Sequence, residues 1–249
     1  MMRVSVERWA AWASGVEGDA GWRAWARSPR APMPADPPDV SFLPALQRRR
    51  CDALARSMLY VAHECCPDES VASIPTVFAS RHGPIATTVT LLRDLAEQRP
   101  ISPTRFSHSV HNTPAGLFSI WSANRQPSAS VSARQESFVQ GYVEALCMLH
   151  RSSTGRVLFV TGDEPIPDEL AALNDEGAGG YAVALLLSGN DGDEIRLDRR
   201  PDERGEPPAR GWPDALEFVR WWLSDEPTLA IRRGGIRWTW ARGAAPFPS

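Results

Sequence analysis

The sequence predicts an α/β fold. Two apolar runs, Arg156–Thr161 (RVLFVT) and Tyr181–Leu187 (YAVALLL), have the composition of strands buried on both faces. Asp52–Cys65, Ile85–Ala96 and residues 135–149 each carry an apolar stripe at helical spacing. Shorter strands at Ile74–Ala79 and Ala129–Ser132 alternate with these helices, which is the rhythm of an α/β domain.

In chain order, Arg3–Val6 reads as a short strand, and Glu7–Ala13, with Trp9 and Trp12 three apart, as helical. Prolines 29, 32, 34, 37 and 38 make residues 28–38 a loop. Arg48–Arg50 reads as a solvated face or a helix start. Leu54, Met58, Val61 and Cys65 share one face of the first long helix, and Pro67 stops it. Ser80-Arg81-His82-Gly83 follows the 74–79 strand as a turn. The second helix aligns Ile85, Val89, Leu92 and Ala96, and Pro100 ends it. Thr113-Pro114 reads as an N-cap and first helical residue for an apolar helix carrying Leu117, Ile120 and Trp121.

Residues 106–149 then hold a strand, a tight turn and a long helix. Ser132-x-x-Gln135 fits a capping box, and Glu136 suits the positive end of the helix dipole. Phe138, Tyr142, Leu146 and Leu149 form its stripe. Gly141 and Ala145 leave room for close approach. Ser188–Glu194 reads as a turn, because it lacks the EF-hand pattern. Leu216–Leu223 reads as a short helix, and Thr228–Ile231 with Ile236–Trp240 as a hairpin about Gly234-Gly235. One domain over residues 1–249 is expected, with a core to about 190 and an extension over 191–249.

Composition excludes several chemistries. All 27 basic residues are arginine, so no lysine is present for a Schiff base, a general base or a Walker-type phosphate loop. The net charge of −3 gives no general attraction to nucleic acid or anionic lipid. Cys51, Cys65, Cys66 and Cys147 lack zinc-ligand spacing and read as buried thiols. No apolar run is long enough to span a bilayer, and the N-terminus lacks a signal-peptide run, so stable membrane insertion is not expected and a cytoplasmic protein is. No GxSxG is present. The Gly177-Ala-Gly-Gly180 run precedes a strand instead of opening a helix, which argues against dinucleotide binding. His108 and His111 lack a third ligand, so no metal is expected.

Four segments in order carry a family resemblance: Asp52–Cys65 with its Arg-rich approach; Ile74-Pro-Thr-Val-Phe-Ala-Ser-Arg-His-Gly83; Ser102-Pro103 and Phe106, then Val110-His-Asn-Thr-Pro-Ala-Gly116; and Ser130-Val-Ser-Ala133 before the 135–149 helix. Arg156–Thr161 followed by Gly162-Asp163-Glu164 adds to them. In this order they resemble the N-terminal half of β-ketoacyl synthases. The resemblance implies a thiolase-like fold: a mixed five-stranded sheet with helices on both faces, plus a C-terminal helix and hairpin.

Two departures shape the functional expectation. Family members open the central helix with a nucleophilic cysteine, whose pKa the helix N-terminus lowers. Here Arg134, or Gln135 in the alternative register, takes that position, and neither can form a thioester. The family's two catalytic histidines lie in a C-terminal half that 249 residues do not reach. The resemblance therefore implies a chain-length-factor-type subunit without its own catalytic residues or cofactor. It would pair as a heterodimer with an active ketosynthase, shape the acyl channel, and help present an acyl carrier protein bearing a phosphopantetheine-linked acyl chain. Short members of this kind occur in aryl-polyene and xanthomonadin-type pigment synthesis. Expected acyl-pocket or interface positions are Phe106, His108, His111, Asn112, Phe118 and Gln135, with Trp121, Trp221 and Trp222 as interface extensions or core anchors. The rivals are a stand-alone acyltransferase or hydrolase using Ser132 and His111, and a homodimeric scaffold without an acyl ligand.

Overall fold

A computed structural model describes residues 2–33, 35–173, 179–202 and 212–247. Gly177 and Ala178 of the glycine run lie outside the described residues. Three long antiparallel strands form the middle of the sheet. β1 (Met2–Ala13) lies between β5 (Tyr181–Ser188) and β6 (Asp193–Pro201), and β5 also pairs with β4 (Arg156–Asp163). β2 (Thr76–Ala79) runs parallel to both β4 and β3 (Ser128–Val131). A hairpin of β7 (Thr228–Arg233) and β8 (Ile236–Arg242) completes the order β3-β2-β4-β5-β1-β6-β8-β7. Gly234 and Gly235, at φ +55° and +74°, form its two-residue turn.

The sheet among the described residues has eight strands, not the expected five. Two of the differences have identifiable causes. Glu7–Ala13 is the second half of one strand, not a helix, because the fully buried β5 needs hydrogen-bond partners along both edges. The register slips between Val6 and Arg8, so β1 continues through a bulge. β6 is dominated by charge, and only Ile195 and Leu197 point inward, a short alternation that is easily read as a turn and its tail. The C-terminal hairpin joins the same sheet through β6.

Period-two alternation divides the core between the two faces. Val157 and Phe159 of β4, with Val183, Leu185 and Leu187 of β5, meet one cluster. It is closed by α1 (Gly18–Arg27), α7 (Ser137–Arg151) and α8 (Asp214–Trp222), which add Trp22, Phe138, Tyr142, Phe218 and Trp221. Leu158, Val160, Ala182, Ala184 and Leu186 meet the other cluster. There α3 (Ala53–Cys65) and α6 (Thr113–Trp121) cover the sheet. The short α2 (Ala45–Arg48) precedes α3. α4 (Ile85–Ala96) and α5 (Pro103–Ser107) connect β2 to α6.

Local chemistry sets several helix boundaries. Asp52 caps α3 by accepting from the Ala55 amide at 2.7 Å. α6 starts one residue earlier than expected: Asn112 is its N-cap, and the Thr113 hydroxyl donates to the His108 carbonyl instead of capping. In α4 the buried positions are Val89, Leu91 and Asp94, whereas Leu92 and Ala96 of the expected stripe are exposed. Cys51, Cys65 and Cys66 are buried as expected, but Cys147 is exposed because it falls just off the buried side of α7.

Gly141 lets α7 lie directly on the sheet. A Cβ there would stand 2.6 Å from the Ala79 Cβ and 2.8 Å from Phe159 Cε2. Gly141→Val should destabilise the fold by roughly 1–3 kcal/mol through overpacking, measured by urea unfolding. An unchanged midpoint would show that α7 can lift away freely.

Candidate functional site

The site is built where β2, β3 and β4 end together. The Asp163 carboxylate, at the end of β4, gathers the turn that follows β2. It accepts from the Ser80 hydroxyl at 2.6 Å, the Arg81 amide at 2.9 Å, the His82 amide at 3.0 Å and the Tyr181 hydroxyl at 3.2 Å. A buried carboxylate needs such donors, and here backbone amides supply much of the compensation. The Ser80 hydroxyl also accepts from the Gly83 amide at 2.8 Å, which closes the turn.

Two further segments dock on this turn. His111 Nε2 lies 2.9 Å from the Ser80 carbonyl, so its proton sits on Nε2 and is donated. Gly83, at φ +62°, passes beneath the same ring, where a Cβ would stand 3.1 Å from His111 Cδ2. From the other side, the Ser132 hydroxyl donates to the Arg81 carbonyl at 3.1 Å.

After Ser132 the chain turns sharply into α7. Arg134 takes φ +54°, an unusual conformation for a residue with a side chain. Residues Arg134–Glu136 form a single 3₁₀ turn, and α7 begins at Ser137. The capping box predicted for Ser132 and Gln135 does not form, because the left-handed Arg134 and the 3₁₀ turn delay the start of α7 to Ser137, five residues beyond Ser132. Ser137 holds the turn instead: its hydroxyl accepts from the Ala133 amide at 2.9 Å and donates to the Arg134 carbonyl at 2.7 Å. Arg81, Ala133, Arg134, Gln135 and Glu136 line a cavity of about 250 Å³ with Arg233 and Gly234 of the C-terminal hairpin.

The sequence-predicted positions separate in space. Gln135 lines the cavity. His111 abuts the turn that bears Arg81, Asn112 is exposed at the start of α6, and His108 is half-buried. Phe106 is exposed on α5, whereas Phe118 is core, packed against Phe78 at 5.4 Å between ring centroids. Trp221 is fully buried, Trp222 half-buried, and Trp121 packs among Phe42, His63 and Phe118. Ser132 and His111 are each bonded to a backbone carbonyl of the 80–81 turn and not to one another, so the structure does not assemble the dyad an acyl-transfer enzyme would use.

Sequence reasoning missed Asp163 as the organising group, and Arg81 and Arg233 as cavity residues. It also missed Glu164, whose Oε1 accepts from the Ala86 amide at 2.7 Å near the N-terminus of α4. Burial raises the Glu164 carboxyl to about 7, and the neighbouring Asp52 and Asp163 push it the same way. Asp52 is also raised, mainly by burial. Only the acidic run Gly162-Asp163-Glu164 directly after a buried strand could have pointed to these carboxylates.

The sheet, the two helical layers and the strand–turn–helix at its end define a thiolase-like α/β protein. The profile described as "Beta-ketoacyl synthase, N-terminal domain" matches residues 22–241, and the chain belongs to that family. Among solved structures it is similar to a chain of the ketosynthase ApeO in complex with its chain length factor ApeC from Xenorhabdus doucetiae. That match has 28% identity and a TM-score of 0.84, and covers 97% of this chain and 100% of that one. The ishigamide ketosynthase/chain length factor matches in fold at 15% identity and TM-score 0.65, over 83% of this chain and 69% of that one. A type II polyketide synthase complex of acyl-carrier protein with its ketosynthase, AntDE:AntF, matches in fold at 10% identity and TM-score 0.72, over 98% and 99%. No curated protein matches the sequence. Among the described residues no helix is long and apolar enough to cross a membrane, and no group of three or more His, Cys, Asp or Glu is placed to hold a metal.

Two outcomes test the site's construction. Asp163→Ala leaves the Arg81 and His82 amides and two hydroxyls without their acceptor, and should cost at least about 2 kcal/mol in urea unfolding. A smaller loss would mean the turn holds itself. Glu164 has its folded pKa raised above the unfolded value of 4.5, so its contribution is complete below pH 4.5 and is lost as pH rises through about 7. The Tm should therefore fall between pH 5 and pH 8, and Glu164→Gln should flatten that fall; parallel curves for the two proteins would remove Glu164 as the cause.

Proposed function

We propose that this chain is a non-catalytic, chain-length-factor-type subunit that pairs with an active β-ketoacyl synthase and shapes its acyl channel. The observation that carries the reading is the turn at Ala133–Glu136. Its strand, strained tip and helix are all built, yet Arg134 and Gln135 stand where a nucleophile would act. Arginine and a carboxamide cannot form an acyl thioester, but both can line a channel and donate hydrogen bonds there. The positive φ at Arg134 favours the register that puts Arg134 at the nucleophile position, with Gln135 beside it on the cavity wall.

The similarity to a ketosynthase solved with its chain length factor supports pairing with a catalytic subunit. The partner supplies the cysteine and histidines. This chain supplies a second wall of the acyl pocket from Gln135 and the 106–112 segment, and helps present the acyl carrier protein with its phosphopantetheine-linked chain. We read residues 1–249 as one domain acting in aryl-polyene-type synthesis, as a soluble cytoplasmic subunit without a cofactor.

Co-expression with a ketosynthase encoded in the same gene cluster should give a stable one-to-one complex. After loading with an acyl thioester, intact-protein mass spectrometry should find the acyl adduct on the ketosynthase alone. An adduct on this chain, or a folded monomer indifferent to the ketosynthase, would overturn the proposal.

A further inference from the structure

A second cavity, of about 610 Å³, lies at the opposite end of α7 from the candidate site. Leu146, Cys147, Leu149, His150 and Arg151 line it from the last turns of that helix. The 15 residues of α7 span roughly 22 Å, so this cavity is separate from the one beside Arg134. Its volume is that of a small-molecule site.

The lining divides by polarity. Leu146 belongs to the core cluster, and Met2 and Leu149 pack against that cluster, so these three make an apolar wall. Leu146, Cys147, His150 and Arg151 are spaced by three or four along α7 and share one side of it. His150 and Arg151 are exposed, and neither makes an ion pair or a side-chain hydrogen bond among the described residues. Other arginines of the chain are committed to carboxylates: Arg105 to Asp94, Arg220 to Glu217 and Arg233 to Asp214. Arg3 also lines the cavity, and no carboxylate is among its described lining residues. The hollow is thus cationic in a chain whose net charge is −3. Basic residues in the last turn of a helix complement its dipole, but that role needs no apolar hollow beside them.

Backbone closes the remaining side and leaves room. The Gly189 amide donates to the Gly155 carbonyl at 3.1 Å, which ties the residues after β5 to those before β4, and both glycines line the cavity. A Cβ at Gly189 would meet nothing within 4 Å. We propose that this cavity binds the anion of a small apolar carboxylic acid. The apolar chain lies against Met2, Leu146 and Leu149, and the carboxylate takes the guanidinium of Arg151, a planar fork that matches it, with the His150 ring as a further donor. A bare anion leaves the apolar wall uncovered, and a neutral apolar molecule leaves the guanidinium unused. This site is independent of pairing with a ketosynthase.

Cys147 reports on occupancy, because it is exposed in the cavity whereas Cys51, Cys65 and Cys66 are buried. The probe is decanoate, compared with decanol and inorganic phosphate. On the full chain, decanoate at about 1 mM should slow alkylation of Cys147 by iodoacetamide roughly fivefold or more, read by peptide mass spectrometry. Decanol and phosphate should each need roughly tenfold higher concentration for the same protection, since each satisfies half of the lining. Arg151→Ala should raise the decanoate concentration for half protection roughly tenfold and erase the preference for decanoate over decanol. Gly189→Phe, which fills the hollow from an open position, should abolish protection with Tm unchanged. No protection by decanoate at about 1 mM overturns the proposal. So does protection that both variants leave intact, which places the acid elsewhere and leaves Arg151 to the helix dipole. Decanol equal to decanoate shows a hollow that takes any apolar molecule, and phosphate equal to decanoate shows a simple anion site; either result overturns the proposal.

Discussion

The Asp163 carboxylate is the constraint on which the rest of the site depends. β2, β3 and β4 end at nearly the same level, and the chain leaving β2 must turn without a regular hydrogen-bond ladder. Asp163 supplies that turn with a buried acceptor for two backbone amides and a hydroxyl, and Tyr181 steadies it from β5. His111 and Ser132 then dock on carbonyls of the same turn from opposite sides. One charge thus positions three segments that are far apart in sequence, and low local polarity strengthens each bond to it.

The strand–turn–helix beside it separates scaffold from chemistry. Arg134 holds a left-handed conformation, and Ser137 bridges the turn from within, so the turn does not rely on Ser132 or Gln135 for capping. Gly141 brings the helix that follows into contact with Ala79 and Phe159. A framework that rigid is unneeded for a surface loop, yet it carries side chains that cannot attack a carbonyl. Retaining the geometry while changing the side chains is consistent with a wall or a pairing surface, and the arginines around the 250 Å³ cavity make that wall polar.

Neighbouring carboxylates divide into two roles according to their surroundings. Asp163 is surrounded by donors. Glu164, one residue later, receives the Ala86 amide but is buried near Asp52 and Asp163, and burial dominates its raised pKa. A third carboxylate, Asp94, binds Arg99 and Arg105 and ties α4 to α5.

By itself the sequence determined the elements whose signal is local. RVLFVT and YAVALLL could only be buried strands, α3 and α7 showed their stripes, Asp52 capped where a cap was expected, and Gly234-Gly235 made the hairpin turn. The order of motifs was enough to indicate the family. Tertiary structure decided whatever depends on partners remote in sequence. Residues 7–13 became strand because β5 required a neighbour, and β6 was accepted into the sheet on two inward residues. Ser132 lost its expected capping role because the turn at Arg134–Glu136 moves the start of α7 to Ser137. Phe118 went to the core and Phe106 to the surface although both flank the same motif. Asp163 could not be recognised as a hub from its own segment, since the amides it binds lie some eighty residues earlier in the chain and are brought to it only when β2 and β4 pair.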